Sequence, residues 1–162
     1  MSACSNCRKS NATSQCGCCN EPVCKNCIEF LKEGSFSFLQ KIPQELTHTQ
    51  YCPSCFQKYV TEAQTKYEET MELAREVYIF YIGRKGNLPL FEQSKKKLSI
   101  PKCTDRDEIL LRLAFQAAEM GFNAITETDV IRIKVRDGAY QTMSFSVSGF
   151  PAKIDVTKID RH

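Results

Sequence analysis

Four pairs of cysteines, each with two residues between the thiols, crowd the first 55 positions of this 162-residue chain: Cys4/Cys7, Cys16/Cys19, Cys24/Cys27 and Cys52/Cys55. Two intervening residues let both sulfurs of a pair reach one ion at about 2.3 Å from a tight turn. One such pair is weak evidence for a metal. Four of them supply eight ligands and predict two closed tetrahedral sites, with two zinc ions expected and an iron–sulfur cluster as the rival. Spacing alone leaves the pairing open. Cys19 and Cys24 are separated by four residues, so their knuckles either share one ion or stand back to back on a hairpin and serve different ions.

Nine of the ten cysteines lie before residue 56, and only Cys103 lies beyond. The opening "MSACSNCRKS" has no apolar core of the kind a secretory signal needs, and no apolar run reaches the roughly 18–20 residues of a membrane span. A cytoplasmic location is therefore expected, where thiols stay reduced and bind metal rather than pair as disulfides. The net charge of +3 is unevenly spread: residues 58–83 sum to −2 and residues 84–106 to +5. A lysine-rich loop exposed to solvent accounts for the second figure. Without Trp or a dominant basic face, no specific nucleic-acid partner is expected.

The organisation expected is α+β in three parts. Residues 1–57 read as a metal-held module, too poor in large apolar side chains to form a core alone. Residues 58–76 read as a connecting helix, since Phe56, Tyr59, Val60, Ala63, Tyr67, Met71 and Ala74 recur three or four apart. Residues 77–162 read as a small β-α-β-β domain in which 84–103, punctuated by Gly and Pro, is a linker. "VYIFYIG" at 77–83 fits a strand or a helix end. Thr104 is the expected N-cap of a helix whose apolar face is Ile109, Leu110, Leu113, Ala114 and Ala117, and Gly121 is its expected stop. A hairpin follows, with Asp137-Gly138 as a type I′ turn and Met143, Phe145 and Val147 facing the helix. After Gly149 and Pro151, Ala152, Ile154 and Val156 suggest a separate last strand.

The central C-x2-C-x4-C-x2-C, with Val23 before the third pair, resembles the FYVE-type zinc fingers, as does "YCPSCFQKYV", a last knuckle running into a helix. The resemblance covers residues 4 to about 60. It implies a cross-braced, treble-clef-like fold, with Cys4, Cys7, Cys24 and Cys27 on one zinc and Cys16, Cys19, Cys52 and Cys55 on the other. Cys18 is then the spare thiol, because using it in place of Cys19 would leave one residue between ligands. The family's phosphatidylinositol 3-phosphate site rests on a tryptophan motif and a basic, histidine-containing run before the second knuckle. Here there is no Trp, and "NATSQ" precedes Cys16. Phe36 and Phe38 are expected to be structural filler rather than a membrane wedge, and His48 a capping or solvated residue rather than a ligand.

"AFQAAEMGFNAI", followed by a hairpin and an apolar strand, resembles the bacterial YbjQ-type α+β domains over residues 105–157, chiefly through Ala118, Gly121, Asn123, Ala124 and Ile125. That resemblance implies self-association through the C-terminal domain and no chemistry.

No catalytic residue is expected. Saturated zinc sites leave no position for activated water, the two histidines are far apart, and no phosphate-binding or metalloprotease motif occurs. Cys103 reads as a buried thiol. The function expected is a non-catalytic protein–protein interaction or assembly module with a protein partner and weak or absent membrane contact. A membrane phosphoinositide adaptor is the first alternative and a RING-like ubiquitin ligase the second.

Overall fold

The computed structural model describes residues 3–84 and 86–159; His162, to which no role is assigned, lies outside the described residues. The protein is mixed α+β and divides into two compact units, one ending at Glu68 and one beginning at Glu69.

In the first unit, strand β1 (Ser14–Gln15) pairs antiparallel with β2 (Pro22–Val23), and β3 (Glu29–Phe30) with β4 (Gln50–Tyr51). Ladders of two residues contribute little stability of their own. Their role is positional, because β1 runs directly into Cys16, β2 into Cys24 and β4 into Cys52. A helical run follows: a turn at Pro53–Cys55, a π-helical stretch at Phe56–Thr61, then helix α1 (Glu62–Arg75). Pro53 opens it at a position where a missing N–H costs nothing.

The core of this unit consists of Val23, Leu31, Phe36, Leu46, Tyr51 and Val60 packed around Cys4, Cys16, Cys24 and Cys52. Phe36 is buried and meets Tyr67 edge to face at 5.4 Å, as filler should. Tyr51 is fully buried because its hydroxyl is satisfied, donating to the Glu45 carbonyl at 2.7 Å and accepting from the His48 N–H at 3.2 Å.

The second unit contains five strands: β5 (Tyr78–Tyr81), β6 (Leu90–Gln93), β7 (Leu98–Cys103), β8 (Ala124–Asp137) and β9 (Tyr140–Ile154). Their order is β5-β8-β9-β6, with β7 also on β9. Since β8 occupies one edge of β9 throughout, β7 and β6 lie end to end along the other, against residues 145–149 and 152–154. β5 runs parallel to the first part of β8. Helix α2 (Arg106–Glu119) packs on β7, β8 and β9. All five residues of its expected apolar face are buried, together with Phe115, Gln116 and Ala118.

Several local expectations are corrected. The stretch 84–103 contains two strands, so the β-α-β-β outline becomes three strands, a helix and two strands. The N-cap of α2 is Asp105, not Thr104; its carboxylate accepts from the N–H groups of Asp107 and Glu108. The hairpin loop is Gly138-Ala139, because Asp137 already pairs with Tyr140. Positive φ occurs only at Gly138, the type II′ pattern rather than I′.

Residues 140–154 form one strand, not two. Pro151 fits because its carbonyl, which accepts from Ser94 N–H, points away from β8. The absent N–H would point the same way, into the gap between β7 and β6, so no ladder bond is lost. Gly149 is required there. A Cβ on it would stand 2.5 Å from Ile125 Cγ2, where β8 bulges through Glu127 at φ 51°.

The "GFNAI" step is explained by local mechanics. Gly121 at φ 85° ends α2, with its own N–H on Ala118 O and that of Phe122 on Ala117 O, a Schellman motif. The Asn123 side chain then brackets Ile154, donating to its carbonyl at 3.1 Å and accepting its N–H at 2.9 Å. This pins the end of β9 to the start of β8.

Candidate metal centre

The Cys4 and Cys16 knuckles are built alike. In each, the N–H four residues on returns to the first cysteine's carbonyl (Arg8 to Cys4 at 2.8 Å, Asn20 to Cys16 at 2.9 Å). In each, the residue after the second cysteine turns into the left-handed region, Arg8 at φ 61° and Asn20 at φ 63°. The first cysteine's own N–H then bonds the carbonyl five residues on, at Lys9 and at Glu21. The Cys24 and Cys52 knuckles are alike in another way. They are helical turns in which Ile28 N–H reaches Cys24 O at 3.0 Å and Phe56 N–H reaches Cys52 O at 2.9 Å.

Each cluster combines one knuckle of either kind. Cys4, Cys7, Cys24 and Cys27 form one group and Cys16, Cys19, Cys52 and Cys55 the other, with the sulfurs of each group all within 4.8 Å of one another. The hairpin of β1 and β2 enforces this arrangement. It sends Cys16 and Cys19 to its tip and Cys24 to its open end, and the Ser5 N–H bond to Pro22 O at 2.8 Å holds the first knuckle there. The Gly17 N–H bond to Gln50 O at 2.9 Å brings β4, and hence Cys52, to the tip. Two separate four-cysteine groups arranged in this way fit a cross-braced double finger. The expected residues are all brought together, and Cys18, His48 and Cys103 stand outside both groups.

The donor set suits a tetrahedral ion. Four sulfurs at about 2.3 Å from one centre stand about 3.8 Å apart. Cys7 Sγ lies 3.7 Å from Cys24 Sγ, and Cys19 Sγ lies 3.8 Å from Cys52 Sγ. Both separations far exceed the roughly 2.05 Å of a disulfide.

The thiols also differ in acidity in a way that calls for a cation. The backbone N–H groups of Cys7 and Cys24 hold the Cys4 thiol down to about 6, against burial. At Cys16 burial opposes ionisation, but the N–H groups of Cys19, Cys52 and Cys18 outweigh it and bring the thiol to about 6. Asn6 donates to Cys27 Sγ and favours its thiolate, yet Cys24, burial, Cys7 and Cys4 push that thiol up to about 11. Burial, then Cys52, Cys19 and Cys16, raise Cys55. The first group thus pairs lowered thiols at Cys4 and Cys24 with a raised one at Cys27. The second pairs a lowered thiol at Cys16 with raised ones at Cys19 and Cys55. A bound cation would let four thiolates coexist at such distances.

Two supporting residues carry no motif signal. Gly17 lies under His48, where an added Cβ would stand 2.7 Å from the His48 Cβ. Asn6, inside the first knuckle, reaches across to Cys27 at 3.3 Å. A polar residue and a glycine in the two-residue gaps were the only traces of either in the sequence.

Comparisons with family models, with curated proteins and with solved structures found no match to this chain. No helix among the described residues is long and apolar enough to cross a membrane.

Proposed function

We propose that the first unit is a treble-clef-like, FYVE-type zinc module that holds two zinc ions and acts as a protein–protein interaction or assembly scaffold in the cytoplasm. The observation that carries this reading is the pair of four-sulfur groups built into the module's core, with sulfur separations of 3.7 and 3.8 Å. Ions held by four protein thiolates have no open position for water or substrate, which favours scaffold over catalyst. Zinc suits the all-sulfur tetrahedral set, and binding it supplies folding energy to a unit whose apolar core is small. Burial of Phe36 in that core speaks against a membrane wedge at "GSFSFLQ".

The test is affinity purification from native cells with the wild-type chain and with Cys24→Ser, alongside elemental analysis. A defined protein captured stoichiometrically by the wild type and lost with the zinc supports the scaffold reading. Capture that is indifferent to zinc content, or recovery of anionic lipid in place of protein, contradicts it.

A further inference from the structure

Beyond Arg132, strands β8 and β9 leave the rest of the sheet and continue as a two-stranded ribbon, since β5 accompanies β8 no further than Thr128 and β7 meets β9 no nearer the loop than Phe145, the partner of Arg132. Directly opposed residues of an antiparallel pair share a face, and the register is regular from Asp129 to the turn. One face therefore carries Arg132, Lys134 and Arg136, opposite Phe145, Met143 and Gln141. The other carries Ile131, Ile133 and Val135, which are 49%, 53% and 41% exposed. The three cations stand about 6.7 Å apart along the strand. Among the described residues none of them is engaged in an ion pair.

At the foot of the basic face lies a cleft of about 430 Å³ lined by Tyr81, Arg106, Thr128, Arg132 and Phe145, with Asp129 its one acidic residue. Arg106, at the start of α2, donates to the Tyr81 hydroxyl at 3.3 Å and stands over the Tyr81 ring at 5.8 Å. Thr128 is fully buried, and its hydroxyl has no hydrogen-bond partner. The cleft thus joins a fourth cation and two aromatic rings to the end of the cationic row.

We propose that this cleft and the basic face of the ribbon bind single-stranded nucleic acid, the phosphates along Arg132, Lys134 and Arg136 and a base in the cleft against Tyr81 and Phe145. Evenly spaced cations leading to aromatic faces are what a strand with regular charges and unstacked bases requires. A second copy is disfavoured as the occupant. Antiparallel pairing of residues 129–137 with themselves about Ile133 sets Arg132 against Lys134 and Asp129 against Asp137, and like charges directly opposed destabilise a ladder. A bilayer is disfavoured because the exposed apolar row and the cations lie on opposite faces of the ribbon, so a membrane cannot engage both.

The test uses the full-length, zinc-loaded protein and a fluorescein-labelled 20-nucleotide single strand of mixed sequence. Four phosphate contacts, at the three ribbon cations and at Arg106 in the cleft, predict that log K falls with log salt at a slope of about −2.8. Arg132→Gln/Lys134→Gln/Arg136→Gln should bring that slope to about −0.7 and weaken binding more than about tenfold at 50 mM salt. Tyr81→Leu should weaken it by about fivefold or more with the slope unchanged, because stacking carries no counterions. Lys95→Gln/Lys96→Gln/Lys97→Gln, which removes cations outside the ribbon, should leave both quantities near wild type. No binding at 50 mM salt overturns the proposal, as does equal loss in the two triple variants. Equally tight binding of the matching duplex also overturns it, as does binding to phosphatidylserine vesicles that depends on the same three cations.

Discussion

Gly17 and His48 show how much a single residue outside the ligand set contributes to the second cluster. The glycine has no motif value in the sequence, but the imidazole lies where its Cβ would be, 2.7 Å from the His48 Cβ. Gly17→Ala should therefore destabilise the metal-bound unit by about 1–3 kcal/mol, the usual cost of overpacking. Gly17→Ala/His48→Gly, which removes the facing Cβ, should recover most of the loss; thermal melts of the four members of this cycle measure it. Cys18 makes the complementary case. It lies beside Cys19 but outside both sulfur groups, so Cys18→Ser should keep both ions while Cys19→Ser loses one. Equal metal loss in the two variants, read by elemental analysis, would mean the ligand had been misassigned.

The cysteines of the two groups were legible in the sequence because x2 spacing is local geometry, whereas Gly17 and Asn6 act across distances that spacing does not encode.

Among the elements, the two knuckles with left-handed exits differ in their chemistry. Asn20 adopts φ 63° at little cost, since a short amide tolerates this region, but Arg8 at φ 61° carries the penalty of a Cβ. Arg8→Gly is expected to stabilise the first cluster by about 1 kcal/mol and Asn20→Gly to change the second much less. Zinc retention against a competing chelator would show the difference, and an equal response from both would contradict it.

The strands divide by the same logic. The hairpin of β8 and β9 was legible because its alternation is long and its turn carries a glycine. β6 and β7 were not, since they are short outer strands, β6 exposed along its length, interrupted by a lysine run and by Pro101. Such strands take their stability from the neighbour they pair with, and pairing leaves no pattern within the strand itself. Pro151 misled for the same reason, being harmless on the edge it faces.

At the scale of the whole molecule, the two units draw on different sources of stability. The first has four cysteines within its small core, whereas the second buries a full helix against a five-stranded sheet. Removing metal should therefore abolish amide protection through residues 14–60 and leave it intact in α2 and in residues 145–154 of β9. Hydrogen exchange with and without a chelator reads both together. Loss of protection in α2 on chelation would show that the units are not independently stable. The cysteines stop abruptly at residue 55, whereas the first compact unit runs on to Glu68, inside the helix expected to be a connector. The size of the second sheet was not legible, because two of its strands were read as linker.

The central claim is the cross-brace itself, that ligands alternate along the chain between two ions. Zinc content of double variants, measured by elemental analysis on purified protein, tests it most directly. Cys4→Ser/Cys24→Ser removes two ligands from one cluster and should leave one zinc per chain, whereas Cys4→Ser/Cys16→Ser damages both clusters and should leave none. If the knuckles instead paired in sequence order, the first variant would hold no zinc and the second would hold one.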